Sequence, residues 1–153
     1  MEVGELLRAE VCVVQCPPNF NCTSENVENM WRFFRKAKRG RFEIAWEPRG
    51  DWGKHPDVVR RLCKELNLIH CVDPLRAEPL HFGSKKIAYF RLHGFGKPSI
   101  YNYRFSDEEL RRIAEVVDGL RRKTKRIYCF FNNVAMLEDA SKFGDLLECF
   151  DSK

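Results

Sequence analysis

The sequence predicts an α/β protein built on parallel strands, and three observations carry that prediction. Short apolar runs alternate with amphipathic helical stretches in the order βαβαββαβα. The first of the runs, Val11–Val14, is uninterrupted and rich in β-branched residues, as a strand covered on both faces is. Each run also stops at polar residues: VCVV at Gln15, FEIAW at Glu47, LIHCV at Asp73, IAYF at Arg91 and His93, and IYCFF at Asn132 and Asn133. In parallel folds the strand ends converge on the face where ligands bind, so the stops locate a candidate site.

The elements follow in order. After the strand Val11–Val14, Thr23-Ser24 is placed to cap a helix that carries Val27, Met30, Trp31 and Phe34 at helical spacing. A second strand covers Phe42–Trp46 and stops before Pro48. Pro56 suits the first turn of a second helix, with Val59, Leu62, Cys63 and Leu66 on its inner stripe and His55 as its expected cap. The third strand is Leu68–Val72, ended by Asp73-Pro74, and residues 74–86 show no periodicity and are expected to be a loop. The fourth strand, Ile87–His93, closes at Gly94. An aromatic-rich stretch, FGKPSIYNYRF, leads to a capping box at Ser106 and Glu109 and a helix bearing Leu110, Ile113, Ala114, Val117 and Leu120. The last strand is Ile127–Phe131, and a final helix uses Phe143, Leu146, Leu147 and Phe150. There is no internal repeat or linker, so residues 1–153 are expected to form a single domain.

Composition bounds the function classes. Hydrophobic residues make up 44% and charged residues 32%, the balance of an ordinary globular protein. No apolar run approaches the ~18 residues that cross a bilayer. The N-terminus, MEVGELLRAE, lacks the layout of a signal peptide, so a cytoplasmic protein without a membrane partner is expected. Seven cysteines without a C-x-x-C pair point to reduced, buried thiols and to no metal. No cofactor is expected: neither G-x-G-x-x-G nor a P-loop follows a strand. The net charge of +5 is modest. Two basic runs, 35–41 and 121–126, make a nucleic-acid partner an alternative, although positive charge at helix C-termini also offsets the helix dipole. Periodicity leaves two architectures open, an open doubly wound sheet and part of a (β/α)8 barrel.

Five longer motifs separate them. QCPPNF, WEPRGDW, CVDP, YFRLHG followed by YNYRFSDEEL, and YCFFNN followed by AMLEDA stand in one order at matching intervals. Together, over about Leu6 to Leu147, they resemble the YecE-like family (domain of unknown function 72, DUF72), in its archaeal-type variant. The resemblance implies a TIM-like barrel of which this chain matches strands four to eight and lacks the first three β/α units. The expected fold is therefore a partial TIM-like (β/α) barrel. Its open edges imply self-association or a second chain that supplies the missing units.

The resemblance also places the family's strand-end polar residues on Gln15, Glu47, Arg49, Asp73, Arg91, His93, Asn132 and Asn133. An independent physical case supports attention to them, because an unpaired charge buried at a strand end costs several kcal/mol. Glu47 with Arg49, and Arg91 with Asp73, are natural pairings. The expectation is a hydrolase-like or lyase-like site in which Glu47, His93 and Asp73 carry acid–base chemistry, with a non-catalytic fragment that needs a partner chain as a further alternative. Arg49 and Arg91 would bind an anionic, phosphorylated small molecule, and Gln15, Asn132 and Asn133 would orient it. Trp52 and the Tyr101/Tyr103 loop would wall the pocket or stack on a planar ligand. Asp73 before Pro74 is equally suited to a turn role.

Overall fold

The computed structural model describes residues 2–151. Its elements are α1 (Glu2–Leu6), β1 (Val11–Gln15), α2 (Ser24–Lys36), β2 (Glu43–Glu47), a 3-10 turn (Trp52–Lys54), α3 (Pro56–Glu65), β3 (Leu68–Val72), β4 (Ile87–Leu92), α4 (Asp107–Leu120), β5 (Arg126–Phe131) and α5 (Met136–Asp151). The strands form one sheet in the order β1-β2-β3-β4-β5. β1 is parallel to β2, and β2 is parallel to β3. A doubly wound sheet would reverse its strand order at a switch point, and this order has no reversal. Strands in sequence order, joined by helices except between β3 and β4, are the arrangement of part of a TIM-like barrel, and the α/β class is as the sequence predicts.

The chain divides into two compact units, Met1–Cys71 with Pro79–Tyr89, and Val72–Glu78 with Phe90–Lys153. In the first unit, β2 and β3 are buried at every position, which explains their unbroken apolar runs. Ile44, Trp46 and Leu68 pack with Met30 and Phe34 of α2, with Val59, Leu62 and Cys63 of α3, and with Leu66 just after it. Thr23 caps α2 by accepting the Asn26 N–H at 3.1 Å. Pro56 occupies the first turn of α3, as its fixed φ favours. His55 holds the expected cap position but makes no side-chain bond to the helix; its Nε2 instead faces Asp51 at 4.0 Å. Residues 74–86 form neither helix nor strand, and Phe82 makes a single antiparallel bridge to Ile69.

None of the seven cysteines is in a disulfide, and they are not all buried. Cys12 is exposed because β1 stands first in the strand order and has a neighbour on one side only; Cys149 on α5 is exposed as well. Burial pushes the Cys63 thiol up to about 12, which leaves it an unreactive core group.

In the second unit, Leu110, Ile113, Ala114 and Val117 form the buried stripe of α4. Ser106 and Glu109 complete the expected capping box. Phe105 and Phe143 are buried, and Phe131 of β5 lies 5.6 Å from each ring. The side chain of Phe150 lies outside the described residues. Among the described residues, no helix is long and apolar enough to cross a membrane.

Candidate functional site

The strand ends carry two polar groups, one in each unit. In the first unit, Gln15 ends β1 in register with Glu47 at the end of β2, and the Cys16 N–H donates to the Glu47 carbonyl at 3.0 Å. The Glu47 carboxylate is buried and pairs with Arg49 at 2.6 Å, the partner that the sequence suggests. A buried carboxylate held by a guanidinium stays charged without the full desolvation cost. Next to it, the Trp46 indole donates to Cys16 Sγ at 3.1 Å. Trp52 is fully buried: its indole N–H donates to the Phe20 carbonyl at 2.6 Å, and its ring packs on Phe20 and Trp46. Its surface is used in the core, not in a pocket wall.

The second unit holds the richer group, built around His93. β4 ends one residue before it, and Gly94 follows with φ +87°, a left-handed turn that glycine adopts without strain. A Cβ at Gly94 would overlap the Tyr103 ring, so the tight turn and the neighbouring ring require each other. His93 is buried, with Asn132 Nδ2 3.2 Å from its Nδ1 and the Tyr101 ring edge-to-face at 5.4 Å. An amide nitrogen against Nδ1 holds that atom as the acceptor, which puts the proton of a neutral ring on Nε2. Asn132 is fixed in turn, since its N–H donates to the Leu92 carbonyl at 2.8 Å. Arg91 lies two residues before His93, so strand alternation sends both side chains to one face of β4.

Asp73 joins this group through the backbone. Its carboxylate accepts from the Leu75 N–H at 3.0 Å, an Asx-type turn before the loop, and from the His93 main chain. Burial pushes the Asp73 carboxyl above its ordinary range, opposed by the Leu75 hydrogen bond and by Arg76. Arg76 is the residue that periodicity could not single out. Its Nε lies 3.5 Å from Asp73 Oδ2, its Nη2 donates to the Gly94 carbonyl, and its guanidinium lies 4.3 Å over the Phe95 ring. One arginine thus ties the segment after β3 to the turn after β4.

Asn133 and Tyr103 have supporting positions. Asn133 donates from Nδ2 to the Tyr103 carbonyl at 2.8 Å and to Asp139 at 2.6 Å. Asp139, in the first turn of α5, is fully buried and also accepts the Phe105 N–H at 3.2 Å. Its only sequence signal is its place in the AMLEDA motif. The Tyr103 hydroxyl donates to Glu109 at 2.6 Å, and that bond, with burial, pushes the phenol up to about 12. For Glu109, burial works upward, but the bonds from Tyr103 and Ser106 outweigh it and hold the carboxyl below its ordinary range.

The two basic runs are used differently. In the first, Arg39 donates to the Leu66 and Asn67 carbonyls at the end of α3 and Arg35 stacks on Trp31, so both are engaged in the fold. In the second, Arg121, Lys125 and Arg126 line a shallow cavity of about 360 Å³ with Val117, Thr124 and Ile127. Among the described residues, no three His, Cys, Asp or Glu side chains are grouped to hold a metal ion.

Parallel strands in sequence order, with polar side chains at their carboxyl ends, define the class: an α/β protein of partial TIM-like barrel type. The chain belongs to the family described as protein of unknown function DUF72, whose model matches residues 6–150. It is similar to the crystal structure of a DUF72 family protein from Thermotoga maritima MSB8, with 25% identity, a TM-score of 0.79, and coverage of 96% of this chain and 61% of that one. It is also similar to a DUF72 family protein from Enterococcus faecalis V583, with 22% identity, a TM-score of 0.76, and coverage of 95% and 65%. The chain therefore spans 61–65% of the length of these structures. No curated protein matches it.

Proposed function

We propose that the group around His93 binds an anionic, phosphorylated small molecule and performs hydrolase-like or lyase-like chemistry on it. The observation that carries this reading is a buried imidazole at a strand end, contacted by Asn132, with the Asp73–Arg76 pair bonded to the main chain beside it. A ring fixed in one tautomer with its proton on Nε2 is arranged to donate a hydrogen bond to a developing anion. Arg76 and Arg91 supply positive charge for the substrate, and guanidinium groups match phosphate in charge and geometry. Glu47, paired with Arg49, is a second proposed acid–base group in the first unit.

Turnover of a panel of phosphoesters by wild type, His93→Ala and Glu47→Ala tests the reading. Loss of a hydrogen-bond donor to the developing anion predicts a fall of about 10²–10³-fold in His93→Ala. Equal rates in all three proteins would refute the assignment.

We further propose that additional strands pair against the β5 edge, from a second copy or another polypeptide. β5 stands last in the strand order, and Phe130 on it is 45% exposed. A strand at the end of the sheet order is a template for such pairing. Sedimentation of the purified chain is expected to show self-association, or association with a partner that co-purifies. A stable monomer that retains full activity would exclude it.

A further inference from the structure

The loop between β4 and α4 sorts its aromatic rings into two kinds. Phe105 is buried in the core, and Tyr103 packs over Gly94 with its hydroxyl bonded to Glu109. Phe95 and Tyr101 differ, being 42% and 40% exposed. Neither sits on a loose segment. The Asn102 N–H donates to Ser99 O at 3.0 Å, the Tyr103 N–H to Tyr101 O at 2.9 Å, and the Val134 N–H to that same Tyr101 O at 2.9 Å. At Gly96 the main chain of Asn102 approaches so closely that a Cβ would overlap it. Rings exposed on a backbone tied in this way lose little further freedom when a ligand settles on them.

Each exposed ring also touches a polar group of the site. The Arg76 guanidinium lies over Phe95, and Tyr101 stands against the His93 imidazole. Arg76 is 43% exposed; with Nε turned to Asp73 and Nη2 to Gly94, its Nη1 is left for a ligand. A fixed guanidinium stacked on one aromatic ring, with a second ring nearby in the same loop, presents charge and flat apolar surface together.

Resting on the anion-binding reading above, we propose that this site takes a ligand whose anionic group is attached to a planar ring. Arg76 holds the anion, and Phe95 and Tyr101 hold the ring. An aliphatic anion would satisfy the arginine and leave the exposed surface of both rings in water. A nucleoside phosphate or an aromatic carboxylate has the required chemistry, and the probes below distinguish them.

Calorimetry with adenosine monophosphate against ribose 5-phosphate, and with benzoate against acetate, tests the inference. At least one ring-bearing probe is expected to bind about 10-fold or more tightly than its ringless counterpart, the size that ring stacking supplies. Tyr101→Ala is expected to erase most of that ratio, and Tyr101→Phe to keep it. Arg76→Ala is expected to weaken ring-bearing and ringless anions alike. Ringless anions that bind as tightly as the ring-bearing ones, with Tyr101→Ala unchanged, would overturn this inference and leave anion binding at His93 standing. No binding by any anion would overturn both.

Discussion

Replacing Asp139 by alanine is expected to destabilise the protein by on the order of 4 kcal/mol. The carboxylate accepts from the Phe105 N–H and from Asn133 Nδ2, and both bonds are buried. Alanine would leave the Phe105 N–H and one of the two Asn133 Nδ2 hydrogens without an acceptor, at about 1–3 kcal/mol each. It would also remove a negative charge from the first turn of α5, where the helix dipole favours one. Asp139→Asn keeps an acceptor oxygen and is expected to lose about half as much or less. Denaturant unfolding measures the difference, and hydrogen exchange at the Phe105 amide should accelerate in the alanine variant. An alanine variant within 1 kcal/mol of wild type, on the order of a single net hydrogen bond, would show that water replaces the carboxylate.

The second large effect is loss of stability in acid through His70. Burial lowers its imidazole from 6.5 to about 4, and its Nδ1 accepts the Leu80 N–H at 3.2 Å, which requires an unprotonated nitrogen. Between those two values the unfolded chain binds a proton that the folded chain refuses. This contribution is fully present above pH 6.5 and is lost as pH falls toward 4, on the order of 3 kcal/mol in all. Asp73 acts in the opposite sense. Its carboxyl is raised in the fold, so the cost of burying its charge is relieved as the pH falls. The clean measurement is therefore the difference between wild type and His70→Gln, which retains an acceptor for Leu80. Unfolding free energies at pH 7 and pH 4.5 should show a steeper fall in wild type; identical slopes would remove His70 from the account.

How far the sequence reached depended on whether a property is local. Strand identity is local, since a run such as LIHCV is apolar at every position because β3 is buried at every position. Boundaries moved by a residue where a polar end still pairs: Gln15 and Glu47 are in register and extend β1 and β2 beyond their apolar runs. The caps at Thr23 and Ser106 were legible because their partners lie three residues away. Cys12 was not, because its exposure depends on β1 standing first in the sheet, and an apolar run looks the same at an edge as in the middle.

The site divides in the same way. The pairing of Glu47 with Arg49 spans two residues and could be guessed. Arg76 lies in a stretch without periodicity, and its importance comes from Gly94 and Phe95, which are distant in sequence. Asp139 looks like an ordinary acidic residue in a first helical turn, and only its burial against Asn133 and Phe105 sets it apart. Trp52 shows the converse, since an aromatic next to a strand-end motif has the same sequence signature whether it lines a pocket or fills a core.

The path of the chain through the two units has a consequence for how the molecule can be made and cut. Residues 72–78 belong with the later unit, while 79–89 return to the earlier one. No single peptide bond parts them, so a truncation after Cys71 removes part of the first unit along with all of the second. During synthesis the first unit lacks its last segment until Tyr89 has emerged, by which time the opening segment of the second is already in place between its pieces. Nicking by a protease, or division of the gene into two separately expressed halves, would leave at least one half without a piece of its own core.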